Sequence, residues 1–112
     1  MSTSNAKSED TAFAEEAALT SLLGTHPKVK ILVVLLSEGR DINVSEIAKQ
    51  AGMSRSTVYN HLGALQELGV VEKTREIRGS PLYQLNRESE VAKRLGELEW
   101  TLLEEFEVED DQ

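Results

Sequence analysis

"GMSRSTVYNHLGALQELGVVEK", residues 52–73, is the stretch from which the rest of the chain can be read. Ser54 is a residue type that caps helix N-termini, and Met53 before it can staple to Val58. At the far end Gly69 can supply a left-handed residue while Val70 touches Leu65. These signals predict a helix from Arg55 to about Leu68. At ~100° per residue, Val58, Leu62, Leu65 and Leu68 share one side, and Ser56, Asn60, Gly63 and Glu67 lie opposite, with Arg55 and Tyr59 at the edge. A helix that only coats a core usually turns long charged residues outward. Here the outer N-terminal half is small or hydrogen-bonding. Ser and Asn can exchange hydrogen bonds with base edges, Gly63 permits close approach, and Arg55 and Tyr59 can grip phosphate or guanine. Such a face suits entry into a DNA groove. His61, beside the apolar seam, is expected to anchor the helix through a hydrogen bond and not to read a base.

Upstream, "SEIAKQAG" predicts a two-turn helix with Ile47, Ala48 and Ala51 inward and Gly52 just past its end. Two helices joined by this short glycine-containing turn make a helix-turn-helix. Before them "DINV" is a short extended piece, and "HPKVKILVVLLSEG" places Pro27 in a first helical turn, then apolar residues on nearly every side as far as Gly39. His26 reads as a helix-start residue. From Asp10, "TAFAEEAALTSLLG" predicts a helix over residues 11–23 with the stripe Ala12, Leu19, Leu22 and Leu23, stopped by Gly24.

Downstream, "VVEKTREIRGSPLYQLN" reads as a β-hairpin with its tip at Gly79 and Ser80. Lys73, Arg75, Arg78 and Arg87 gather on and after it. Residues 88–106 then repeat Val91, Leu95, Leu98 and Leu102 at the alternating spacing of a coiled-coil seam, over about two heptads. Trp100 and Phe106 on this helix read as packing or dimer residues. Residues 1–10 carry almost nothing to bury and are expected to be a disordered tail, leaving a domain over 11–106 and an acidic tail over 107–112.

Composition narrows the function. The 112 residues fit one domain and include no cysteine, which removes disulfides, thiolate metal sites and cysteine nucleophiles. No cofactor and no metal site is expected, because two distant histidines and an acidic tail without turn glycines or spaced ligands make no cation loop. The longest apolar run, "ILVVLL", is far short of the ~20 residues that span a bilayer, and no signal-peptide pattern opens the chain. A cytoplasmic protein with no membrane partner is the expectation. No phosphate-cradling, dinucleotide or zinc-protease motif occurs, so catalysis has nothing to rest on.

The net charge of -8 would ordinarily argue against a nucleic-acid partner. The charge is unevenly spread, however. Residues 1–25 sum to -3, residues 88–112 to -8 and residues 26–87 to +3. The acid sits at the ends, through a solvated tail or adaptation to a saline host, and the middle is mildly basic.

The order of "HPKVKILVVLLSEG", "DINV", "SEIAKQAGMSRSTVYNHLGALQELGVVEK", hairpin "TREIRGSPLYQL" and closing helix resembles the winged helix-turn-helix regulators of the ArsR type, which overlap the MarR and TrmB-like regulators of archaea and bacteria. The resemblance covers roughly residues 26–86. It implies a mainly α fold with a small β-hairpin (α+β), flanked by N- and C-terminal dimerisation helices. It implies groove contacts from Ser54, Arg55, Ser56, Thr57, Tyr59 and Asn60, and backbone or minor-groove contacts from wing residues Lys73, Arg75, Arg78, Gly79 and Ser80. The implied homodimer would use Leu19, Leu22, Leu23, Val91, Leu95, Leu98, Leu102 and Phe106 and bind double-stranded DNA at a palindromic operator. The metal sensing found in many ArsR-type proteins is not carried over, since this chain lacks their cysteines. Two other readings stay open: a winged-helix protein-interaction module without DNA binding, and a repressor gated by an unknown effector at the dimer interface.

Overall fold

Pro27, with no N–H to leave unbonded, opens the helix around which the others pack. The computed structural model describes residue 14 and residues 17–110. His26 caps this helix by accepting the Lys28 amide on Nδ1 at 3.0 Å, and Gly39 ends it in the left-handed conformation with φ 68°. The chain runs α1 (Ala18–Leu23), α2 (Pro27–Glu38), β1 (Ile42–Asn43), α3 (Val44–Ala51), α4 (Arg55–Glu67), β2 (Val71–Ile77), β3 (Ser80–Leu85) and α5 (Glu90–Asp110). The fold is α+β, with a small antiparallel sheet in the order β1-β3-β2.

Helix α2 is apolar nearly all round because it is enclosed. Ile31, Val33, Val34 and Leu35 are buried, and α1, α3, α4 and β3 pack on it. From α3, Ile47, Ala48 and Ala51 face inward as expected, and from α4 Val58, Leu62 and Leu65 do. Asn43 caps α3 by accepting the Glu46 amide at 2.8 Å. The short "DINV" stretch does more than extend. Ile42 pairs with Tyr83 and Asn43 with Leu82, so it forms a third strand on the outer edge of the hairpin.

Three expectations need correction. Leu68 is 70% exposed and not part of the buried seam. The helix ends one residue before it, the Gly69 amide bonds to Gln66 O and the Val70 amide to Leu65 O, and this turn swings Val70 into the core in its place. The hairpin tip is Arg78–Gly79 and not Gly79–Ser80, since Ser80 is already in β3, paired with Ile77. Both tip residues have positive φ, 54° and 81°, as a type I′ turn requires. The helix expected over residues 11–23 is described only from Ala18, and the Ala12 stripe position lies outside the described residues, as does the expected tail at residues 1–10. At the other end α5 continues to Asp110, past the boundary drawn at 106.

Helix α5 returns to the body of the domain. It packs on α1, its Ala92 is buried, and Gly96 faces the Leu36 side chain. No helix among the described residues is long and apolar enough to cross a membrane.

Candidate nucleic-acid interface

The sequence places Ser54 as a cap and the fold uses it so. Ser54 Oγ accepts the Thr57 amide at 3.1 Å and shares hydrogen bonds with the Thr57 and Ser56 hydroxyls at 2.9 and 3.2 Å. Ser54 and Thr57 are therefore partly occupied in holding the helix start. Arg55, Ser56, Tyr59 and Asn60 are exposed on the outer side of α4, opposite the buried Val58, Leu62 and Leu65. Arg55 reaches back to α3, where Nη1 donates to Ser45 Oγ at 3.4 Å, a long contact that a stronger acceptor would displace. Gly63 has open space where a Cβ would be.

Among the described residues His61 makes no side-chain hydrogen bond of the anchoring kind expected of it. It meets the His26 ring edge to face, centroids 5.4 Å apart and planes at 71°, which ties α4 to the start of α2. This is a ring contact where the sequence suggested a polar one.

The wing stands beside α4. A polar cleft between them is lined by Asn43 and Ser45 at the start of α3, Arg55 and Tyr59 of α4, and Gly79 and Ser80 of the wing tip. Residues from three separate segments thus share one surface. At the tip Arg78 is the one non-glycine residue of positive φ among those described, in a conformation that Gly or Asn adopts more readily. A turn that only closed a hairpin would be better served by Asn-Gly. Arg78→Asn is accordingly expected to raise stability, by about 0.5–1 kcal/mol, while weakening DNA binding; thermal melts and binding isotherms of the same variant check both signs.

The other two wing cations are already engaged. Lys73 Nζ lies 2.8 Å from Glu76 Oε2, a pairing that holds the ammonium protonated. Arg75 Nε and Nη2 bond to Asp41 Oδ2 and Oδ1 at 2.9 and 3.3 Å. Nothing in the sequence pointed to either pairing, and both set a carboxylate beside a cation expected to contact phosphate. Among the described residues no carboxylate lies within ion-pair distance of Arg55 or Arg78.

The residues expected at a dimer interface divide. Leu19 is 1% exposed and belongs to the chain's own core, so it has no surface to offer. Leu95 and Leu102 are partly buried against that core. Leu22, Leu23, Val91 and Leu98 remain exposed, and Val91, Leu95 and Leu98 line an apolar groove along α5 with Glu90 and Arg94 at its edge. Trp100 is 64% exposed, on a flank of α5 ~160° round from Leu98. The Phe106 side chain lies outside the described residues.

Comparison with known proteins finds similarity over the helix-turn-helix itself. Residues 29–75, from α2 into β2, match the model of the IclR helix-turn-helix domain. The chain is similar to the biofilm growth-associated repressors of two strains of Xylella fastidiosa, each 39% identical over 54 residues, covering 48% of this chain and 46% of the relative. It thus spans about half the length of the curated relatives it matches. In fold it is similar to the crystal structure of the AntR antimony-specific transcriptional repressor, with a TM-score of 0.56 and 23% identity over 73% of this chain and 71% of that one. These matches support a helix-turn-helix module of the kind carried by transcriptional regulators. They do not single out the ArsR type. Among the described residues no three His, Asp or Glu side chains are grouped to hold a metal ion, and the sequence supplies no thiolate.

Proposed function

We propose that the protein is a sequence-specific DNA-binding regulator of transcription that acts as a homodimer. Helix α4 enters the major groove and the hairpin lies as a wing on the flanking backbone or minor groove. One observation carries this reading: the exposed face of α4 holds Arg55, Ser56, Tyr59 and Asn60 and shares a polar cleft with the wing tip. Small hydroxyl and amide groups let that helix approach base edges closely, and an Arg at its first position can take guanine or phosphate. Ser54 and Thr57 lie at the rim of this face, and Arg78, Gly79 and Ser80 form the wing contact.

Two subunits are needed, because each offers few unpaired cations and phosphate neutralisation supplies much of the affinity for DNA. The exposed Leu22, Leu23, Val91 and Leu98 of α1 and α5 are the surface for self-association. A two-fold dimer would set two α4 helices about one DNA turn (~34 Å) apart on a palindromic operator. The resemblance to ArsR-type regulators is retained at this level, without their metal chemistry.

The test is to incubate the purified protein with a random duplex pool at low and high salt and sequence what is recovered, with Arg55→Ala as control. A two-fold symmetric motif, enriched by the native protein and lost in the variant, is the expected result. No enrichment at either salt would turn the assignment toward a protein-interaction module.

A further inference from the structure

Asp41 stands just ahead of β1, yet its carboxylate acts on β2, two strands away across the sheet. The register explains how. Lys73 pairs with Tyr83 and Arg75 with Leu82, so Thr74 is an extra residue, a bulge that bends the outer half of β2. Thr74 Oγ1 donates to Asp41 Oδ2, and Arg75 grips both carboxylate oxygens from the side. The Asp41 side chain is only 13% exposed while Arg75 is 62% exposed, so the covered carboxylate holds the exposed guanidinium. The Arg75 guanidinium and then the Thr74 hydroxyl hold the Asp41 carboxyl below the usual aspartate range.

The clamp joins two parts of the candidate interface. β1 leads directly into α3, so that Asn43 at the end of β1 and Ser45 in the first turn of α3 line the cleft with Arg55, and the bent end of β2 carries Arg78 into the turn. We propose that Asp41 is a positioning residue of the DNA interface: it sets the wing against the start of α3 and withdraws Arg75 from the phosphate contacts. Arg78 is then the wing's working cation. This rests on the DNA-binding reading above. In physical terms Asp41 lowers the sequence-independent part of binding, which scales with the phosphates neutralised, and leaves the base-reading part of α4 in place. It thereby raises discrimination between operator and other DNA.

The experiment measures the salt dependence of binding for the native protein, Asp41→Asn, Arg75→Gln, the double variant and Arg78→Gln, alongside amide hydrogen exchange of residues 74–78. Releasing Arg75 in Asp41→Asn is expected to steepen the slope of log K against log salt by about 0.9 per subunit, with several-fold tighter binding to non-operator DNA. Arg75→Gln alone is expected to keep the native slope, the double variant to return to it, and Arg78→Gln to flatten it by the same ~0.9. Exchange at residues 74–78 should quicken in Asp41→Asn. A merely structural role for Asp41 would loosen the wing without steepening the slope. The proposal is overturned if Arg75→Gln flattens the slope as Arg78→Gln does, or if Asp41→Asn leaves slope or exchange as in the native protein. Should none of the proteins bind duplex DNA, unchanged exchange in Asp41→Asn and faster exchange alike end the claim on Arg75, while faster exchange keeps the clamp itself and places the failure in the DNA reading.

Discussion

Arg55→Ala is expected to weaken operator binding by roughly 30-fold to 10⁴-fold while leaving the melting temperature almost unchanged. An Arg contact to guanine or phosphate is worth about 1–3 kcal/mol, and a two-fold dimer makes it twice. Arg55 contributes little to the fold. It is exposed at the first position of α4, and among the described residues its one side-chain hydrogen bond is the long contact to Ser45. Ser54 caps the helix independently of it. Surface substitutions of this kind usually change stability by less than about 0.5 kcal/mol. Binding isotherms and circular dichroism melts on the same preparation separate the two effects. Retention of tight, selective binding would show that α4 does not read the site.

Leu98→Glu carries the second large effect. It is expected to convert the proposed dimer to monomer and to reduce operator affinity by about 10²–10⁴, the loss that follows when two linked binding events become independent ones. Leu98 is 36% exposed beside Val91 and Leu95, so a carboxylate there meets water in the monomer and an apolar partner in the dimer. Burying that charge without a counter-ion is costly, whereas the isolated protomer should fold as before. Sedimentation equilibrium gives the association state and the same DNA titration gives the affinity. A variant that stays dimeric places the interface elsewhere.

Acid is expected to release the Asp41 clamp on the wing, and amide hydrogen exchange of residues 74–78 followed across pH checks it. Asp41 has a lowered pKa in the folded protein, so its contribution is fully present above its unfolded value and is lost as pH falls below it. That window lies below about pH 4, and the clamp therefore persists at neutral pH.

Local chemistry made the helices legible in the sequence. Ser54, Pro27, Gly39, Gly52 and Gly69 mark ends by cap geometry and by left-handed φ, and the seam of Val58, Leu62 and Leu65 follows from helical period. The features that were missed are long-range or too short to carry a period. Two residues, Ile42 and Asn43, cannot display alternation, and only the pairing with β3 makes them a strand. "RGSP" offers two plausible turns, and the choice of Arg78–Gly79 depends on the register of the flanking strands. Asp41 and Arg75 are 34 residues apart, so no spacing rule would join them. Their pairing changes the candidate site most, since it engages a wing cation that the family resemblance assigns to DNA contact. Leu19 misled for a related reason: helical period identifies an apolar stripe but not whether the chain's own core or a second copy covers it.

Dimethyl sulfate interference on the recovered operator tests the central claim most directly, because methylation at guanine N7 blocks contacts in the major groove. The account predicts two interference patches related by a two-fold axis and centred about one helical turn, ~34 Å, apart. Interference confined to one asymmetric patch, or none at the guanines of the enriched site, would contradict a dimer that reads DNA with α4.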